Sequence, residues 1–359
     1  MNGGRMAAPQ VWTDPTPLRV LGMGTALPGQ PVGTGALLDL MERRFGVNVR
    51  VRGGAIARKL GIEARHICRP FDHPVEGPRP GQRNPELAAQ AVRAALLEAG
   101  LKAEELSYLI GHTGTPATAL PANVAQVAAG LGYHGPFAEF RQACTGFANA
   151  LVFALCLLRA GSGPVAIVGS ETGSVHFDPR RAAVDPGQLV NMLQMGDGAA
   201  AIVLTADDGQ PGARLSRVFH GQLGPGRPPG LSMLCGGSDA PGVPLGVQEF
   251  EHDYAAIRVA GPALLRRCAS AAAEAGIPAT GWTLPHQANG HMDELLEGLI
   301  GTPRGQVVTS GRQVGNTGSA AVWLALAQHR AILRRGDTVL ALGAEATAHM
   351  FGGFHYEHG

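Results

Sequence analysis

Three polar residues stand at the edges of apolar segments: Cys144, His286 and Asn316. Cys144 opens the run Cys144-Thr145-Gly146-Phe147-Ala148-Asn149-Ala150-Leu151, which reads as a long, nearly uncharged helix with the thiol in its first turn. A helix N-terminus offers unpaired N–H groups and the positive end of the macrodipole, and both favour thiolate over thiol. A free cysteine on its own is more often a small buried hydrophobe, so the nucleophile reading depends on its companions. His286 lies in Leu284-Pro285-His286-Gln287-Ala288-Asn289-Gly290, and Asn316 in Val314-Gly315-Asn316-Thr317-Gly318-Ser319. Together the three supply a nucleophile, a base or hydrogen-bond donor, and a carboxamide donor, the set that covalent catalysis uses.

A repeat explains how residues so far apart could meet. Pro164-Val165-Ala166-Ile167-Val168-Gly169-Ser170-Glu171 and Thr338-Val339-Leu340-Ala341-Leu342-Gly343-Ala344-Glu345 share an apolar strand, a Gly, a small residue and a Glu, at an offset of 174 residues. At that offset the helix beginning at Cys144 lines up with the apolar run after Asn316, and His286 falls opposite the Gly111-His112-Thr113-Gly114 loop. Self-similarity at half length marks a duplicated domain. A pseudo-dyad between the copies would bring equivalent strand ends, and with them Cys144 and Asn316, to one place.

The segments Arg141-Gln142-Ala143-Cys144-Thr145-Gly146-Phe147, Pro285-His286-Gln287-Ala288-Asn289 and Gly315-Asn316-Thr317 resemble the three active-site motifs of β-ketoacyl-acyl-carrier-protein synthase III, in the thiolase superfamily. Gly22 to Pro28, Gly61 to Arg65 and Met195 to Ala200 resemble further family segments, so the likeness runs from about Leu18 to the C-terminus. It implies a thiolase-like α/β fold: duplicated mixed-sheet halves in a layered α/β/α/β/α sandwich. The expected organisation is an extended or disordered tail over 1–17, a half carrying the nucleophile over 18–205, and a half carrying His and Asn over 206–359.

The resemblance also implies roles. Cys144 takes an acyl group from a thioester, with its own backbone N–H and one from the Gly343 to Thr347 loop holding the oxyanion. His286 and Asn316 then hydrogen-bond the enolate left when a malonyl thioester loses carbon dioxide. A neutral imidazole suits that donor role. Leu120, Phe147 and Asn289 are expected at the substrate pocket, and Glu345 and Thr347 beside the oxyanion site. Acyl-CoA or acyl carrier protein serves as substrate and partner; no cofactor and no metal are called for. A homodimer is expected, with Leu120 of one chain capping the acyl site of the other.

The chain also departs from the family pattern. Glu345 stands where the family has a Gly-rich run; a structural hydrogen bond, matched by Glu171 in the other half, is the simplest role for it. A coenzyme-stacking Trp is missing near Ala55 to Lys59, and His291 replaces a carrier-contacting Arg, which leaves adenine recognition and carrier docking unassigned. Leu120-Pro121 replaces a Phe-Pro, and the smaller cap points to a longer or branched acyl chain.

Composition narrows the alternatives. A formal net charge of +1 over 359 residues gives no electrostatic case for nucleic acid or a membrane surface. Five cysteines without C-x-x-C spacing indicate neither a disulfide framework nor a zinc site. With no signal peptide and no apolar run long enough to span a bilayer, a cytoplasmic enzyme is expected. Helices are expected over Asn84 to Glu98, Thr118 to Leu131, Cys144 to Ala160, Ala260 to Ala275 and His291 to Ile300. Strands are expected over Leu18 to Met23, Leu106 to Ile110, Trp282 to Leu284 and at Val339. The Gly- and Pro-rich stretch Gly221 to Val247 reads as a surface loop, or alternatively as a lid over an acyl channel. Besides decarboxylative condensation, a thiolase-fold acyltransferase acting on an alcohol or amine remains open. A non-decarboxylating condensation lacks a carboxylate in the His112 to Pro121 loop, and a non-catalytic subunit would not need the intact Cys-His-Asn set.

Overall fold

Val165–Glu171 is buried at every position, and a strand apolar on both faces must lie inside a sheet covered on both sides. The computed structural model, which describes residues 11–223, 227–233, 249–279 and 281–359, builds that sheet from ten strands. They are β1 Val11–Asp14, β2 Leu18–Ala26, β3 Tyr108–His112, β4 Phe137–Phe140, β5 Val165–Glu171, β6 Gly198–Ala206, β7 Arg214–Gln222, β8 Trp282–Pro285, β9 Thr338–Glu345 and β10 Met350–Glu357. Their order is β8-β9-β10-β7-β2-β6-β5-β3-β4, with β1 added on β7.

The path is continuous, yet β7 and β2 pair over just Leu18 with Leu215 and Arg19 with Arg214, with one further bond at 2.9 Å from the Val20 N–H to the carbonyl of Ala213, the residue before β7. On either side of that seam the pairing repeats. β3 and β5 are parallel, β5 and β6 antiparallel, β6 and β2 antiparallel. Likewise β8 and β9 are parallel, β9 and β10 antiparallel, β10 and β7 antiparallel. β4 lies parallel to β3, and its counterpart is reduced to one parallel bridge between Thr283 and Val307. These are the duplicated mixed-sheet halves.

Helices fill five alternating layers with the sheets. Gly146–Arg159 and Ala321–His329 lie in the centre, where Phe147, Leu151, Trp323 and Phe354 form one buried cluster with residues of both halves. Asn84–Ala99 and Asn123–Leu131 cover one outer face, and Tyr254–Glu274 and Met292–Ile300 the other. The strand-helix contact in the first half is backbone-close. A Cβ on Gly24 would lie 2.2 Å from the Ala91 carbonyl oxygen and 2.4 Å from the Ala95 nitrogen. Gly24→Ala therefore forces sheet and helix apart, and a loss of about 1–3 kcal/mol is expected from the denaturation midpoint. An unchanged midpoint would mean that the helix lifts freely.

Several boundaries differ from expectation for local reasons. The second helix starts at Asn123 instead of Thr118, after Pro121, which has no N–H to give. The helix expected from Ala260 begins at Tyr254, where the Asp253 side chain accepts the Ala256 N–H. Residues 11–14 of the expected tail form an edge strand on the second half; residues 1–10 lie outside the described residues. So do 224–226 and 234–248, and with them most of the Gly221 to Val247 lid candidate. An unanticipated helical unit, Thr34–Phe45, Arg50–Leu60, Pro179–Val184 and Pro186–Gln194, packs around Leu37, Met41, Leu189 and Met192. Among the described residues no helix is long and apolar enough to cross a membrane.

Candidate active site

The central helix of the first half begins at Gly146 with Thr145 as its cap, so Cys144 precedes the first turn and does not lie in it. The helix donors point at a carboxylate. Glu345, at the end of β9, accepts the Thr145 N–H at 2.8 Å and the Thr145 hydroxyl at 2.7 Å, and takes a further bond from the Thr347 hydroxyl. The same device recurs 174 residues away. Glu171, at the end of β5, accepts the Ser319 N–H at 3.4 Å and the Ser319 hydroxyl at 2.5 Å. It also accepts the Gly114 N–H at 2.8 Å and the Thr115 hydroxyl at 2.5 Å. Each half thus caps the central helical segment of the other, an exchange that ties the pseudo-dyad together.

This arrangement overturns the expected low-pKa thiol. The macrodipole that would favour a thiolate faces Glu345 instead. Burial pushes the Cys144 thiol up, and the charges of Glu345 and Glu171 push it further, so the resting side chain is protonated. Burial also raises Glu171, against the four hydrogen bonds that favour its anion.

Cys144 and Asn316 line one cavity of about 680 Å³, together with Thr115, Glu171, Glu345 and Thr347. Asn316 is held by its backbone: its N–H donates to Gln194 O at 2.9 Å, and its carbonyl accepts from Gly196 at 3.0 Å. Its Oδ1 accepts the Gly318 N–H at 3.0 Å, which leaves Nδ2 as the free donor end of the carboxamide. Gly318 itself has φ +48°, and a Cβ there would come within 2.6 Å of Glu171 Cγ. The turn after Asn316 accordingly requires glycine.

His286 follows β8 and donates its backbone N–H to Leu342 on β9 at 2.7 Å. The ring is buried and its Nδ1 has no hydrogen-bond partner. Burial lowers its pKa to about 4, which keeps the imidazole neutral.

Two other expected pocket residues lie elsewhere. Phe147 is fully buried in the central layer, edge-on to Trp323 and Phe354 with centroids 5.7 and 5.8 Å away, because its helix face turns toward β10 and not toward the cavity. Asn289 uses its Oδ1 to accept the His291 N–H at 2.8 Å, just ahead of the Met292–Ile300 helix. Leu120 is 85% exposed in this single chain, beside Thr118 and Ala119, which do line the cavity.

Two features escaped the sequence reading. His112, the half-length mate of His286, packs its ring under the nucleophile turn: a Cβ on Gly146 would lie 2.5 Å from its Nδ1, and burial lowers its pKa to about 3. The offset pointed to it, but only packing gives it a place. A second cleft, of about 580 Å³, gathers Arg50 and Arg58 from one helix with His291 and Arg312 from two further segments; His291 is singled out in the sequence, but the three arginines around it are not.

Two layered halves with a cysteine ahead of one central helix and an asparagine ahead of the other define a thiolase-fold protein. Its relatives agree. Family models for 3-oxoacyl-[acyl-carrier-protein] synthase III match residues 138–224, and for the C-terminal region of that enzyme residues 272–352. A β-ketoacyl-[acyl-carrier-protein] synthase III of Rhodospirillum centenum is 30% identical over 343 residues, covering 90% of this chain and 94% of its own. A 3-oxopimeloyl-[acyl-carrier-protein] synthase of Rhodothermus marinus is 31% identical over 341 residues, 90% of each chain. Among solved structures, AbyA1, described as a tetronic acid condensing enzyme, superposes with a TM-score of 0.82 at 27% identity, covering 95% of this chain and 99% of its own. The Pseudomonas aeruginosa PAO1 synthase III follows at 0.76 and 25% identity, covering 95% and 98%. The chain belongs to the 3-oxoacyl-[acyl-carrier-protein] synthase III family of condensing enzymes.

Proposed function

We propose that this protein condenses an acyl thioester with a malonyl thioester, with loss of carbon dioxide, to give a β-ketoacyl thioester. The observation that carries the reading is the shared cavity wall: Cys144 and Asn316, 172 residues apart in sequence, face one space, each at a helix start capped from the opposite half. In the first half-reaction Cys144 Sγ attacks the thioester carbonyl and the carrier thiol leaves. In the second, the malonyl thioester loses carbon dioxide and its enolate carbon attacks the acyl-Cys144 carbonyl. Asn316 Nδ2 and a neutral His286 N–H donate to the enolate oxygen as charge develops there. Residues 18–205 and 206–359 serve as the two halves that supply nucleophile and donors.

Relatives described as making 3-oxopimeloyl or tetronic acid products show that membership of the family leaves the acyl group open. The test is direct. The protein is incubated with a panel of acyl-CoA and acyl-carrier thioesters, the mass added at Cys144 is read, and malonyl thioester is then added. Carbon dioxide with a β-keto product supports the reading. Product without carbon dioxide would favour acyl transfer to another acceptor.

The His286 ionisation predicts a pH profile. Because its pKa is lowered to about 4, the ring is already neutral above that pH and charges only below it. Malonyl decarboxylation should therefore show no inflection near pH 6.5 and should fall only toward pH 4, measured as carbon dioxide release. An inflection near 6.5 would place an ordinary, solvated histidine in the step.

The carrier's phosphate is read as approaching over the cleft with Arg58 and Arg312. A twofold homodimer would cover the exposed Leu120 and bring it to the partner's acyl site. Leu120→Phe is then expected to shorten the preferred chain, with about 1–3 kcal/mol of discrimination per methylene. An unchanged chain-length profile, or a monomer in solution, would place the cap elsewhere.

A further inference from the structure

We propose that Gln142 is a positioning residue for acyl loading: its side chain clips Thr145 to the central helix and so holds the Cys144 N–H in place as an oxyanion donor. The inference rests on the reading that Cys144 is acylated by a thioester.

Thioester attack puts negative charge on the carbonyl oxygen, and a donor helps most when it is already aimed at the place where that charge develops. The Cys144 N–H is given to no acceptor among the described residues, so it is left for a ligand. It belongs to the planar Ala143–Cys144 peptide, and its direction is set once that plane is set. The Ala143 carbonyl accepts the Gly146 N–H at 3.0 Å, which holds one edge of the plane. The flanking residues hold the rest. Gln142 and Thr145 are buried, while Ala143 and Cys144 between them are half-buried and line the cavity.

Gln142 joins these flanks. Its Nε2 donates to the Thr145 hydroxyl oxygen at 2.8 Å, closing a ring across the Ala143–Cys144 pair. Its Oε1 accepts from Asn149 Nδ2 at 3.1 Å, one turn into the Gly146–Arg159 helix. The Thr145 hydroxyl in turn donates to Glu345 at 2.7 Å, so the bonds run in one direction from Asn149 through Gln142 and Thr145 to Glu345. The other Gln142 amide hydrogen faces Met350 Sδ and His220 Nε2, both 3.5 Å from the nitrogen. On the main chain, the Gln142 carbonyl lies 3.4 Å from the hydroxyl of Ser319, in the turn after Asn316. A carboxamide suits this place because one side chain must both give to a hydroxyl oxygen and accept from Asn149. The helix does not need the clip for its own start, since Glu345 already takes the Thr145 N–H at 2.8 Å. What the clip adds is the position of the two residues it spans.

The test compares two reactions of the same sulfur. Acyl loading from acyl-CoA, read by intact mass, passes through an oxyanion, whereas alkylation by iodoacetamide does not. Gln142→Met keeps the length of the side chain and removes both its donor and its carbonyl. Loading should fall by roughly 10-fold or more, because a group misplaced by about 1 Å can cost on the order of 10²-fold; alkylation should keep the wild-type rate. Asn149→Ala removes only the anchor of the Gln142 carbonyl and should lower loading by less. The double variant should load no more slowly than Gln142→Met, because both changes act through one clip. Loading at the wild-type rate in Gln142→Met would overturn the proposal, and so would losses that multiply in the double variant. Loading and alkylation that fall together would overturn it as well, since the turn would then have collapsed around the sulfur. If denaturation shows that Gln142→Met does not fold, Asn149→Ala carries the same comparison, and unchanged loading there overturns the proposal. Normal loading by these variants leaves the condensing reading standing, whereas no adduct at Cys144 of the wild type from any thioester removes that reading and this proposal with it.

Discussion

Asn316→Ala is expected to load an acyl group onto Cys144 and then stall. The carboxamide is fixed from three sides: its backbone is hydrogen-bonded to Gln194 and Gly196, and its Oδ1 to the Gly318 N–H. Only the Nδ2 donors are left for a ligand, so truncation removes a donor aimed into the cavity and leaves the cysteine chemistry intact. Carbon dioxide release from malonyl thioester should fall by roughly 10²-fold or more, the usual effect of deleting a main oxyanion donor. Intact mass of the acyl adduct and carbon dioxide release, measured on the same sample, check both halves of the statement. Loss of the adduct with decarboxylation intact would exchange the two roles. Cys144→Ala should lose the adduct completely.

Trp323→Ala should be the most destabilising single change in the central layer. The indole is fully buried, stacked on Phe354 at 5.4 Å and met edge-on by Phe147 at 5.7 Å. Because this cluster draws on both halves, a cavity here loosens the contact that brings Cys144 and Asn316 together. A loss of about 3–5 kcal/mol is expected, from the transfer and cavity terms of a buried aromatic. Its Nε1–H has no hydrogen-bond partner, so Trp323→Phe forfeits no polar contact and should cost clearly less. Equilibrium denaturation of both variants tests this; equal losses would mean that the indole nitrogen is satisfied after all.

Much of this architecture is legible in the linear chain because it rests on local and repeated patterns. Val165–Glu171 and Thr338–Glu345 announce two equivalent strands by composition alone, and the 174-residue offset relates Thr145 to Ser319 and Glu171 to Glu345 before any coordinate is known. Cys144, Asn316 and their Gly-rich turns are recognisable for the same reason: each needs a particular residue type at a particular place along one segment.

What the tertiary structure decided are the properties that depend on partners far away in sequence. Phe147 could have faced a pocket or a core; the helix rotation set by Trp323 and Phe354 puts it in the core. Asn289 could have met substrate, but it caps the neighbouring turn. The ionisation of Cys144 is the clearest case. From the chain alone, a thiol at the start of a helix should be acidic. In the folded protein a carboxylate 200 residues away takes the Thr145 donors, and the same thiol is held protonated. The type of each reactive group is a local property of sequence, while its charge state and reach are set by the low-dielectric surroundings that only folding assembles.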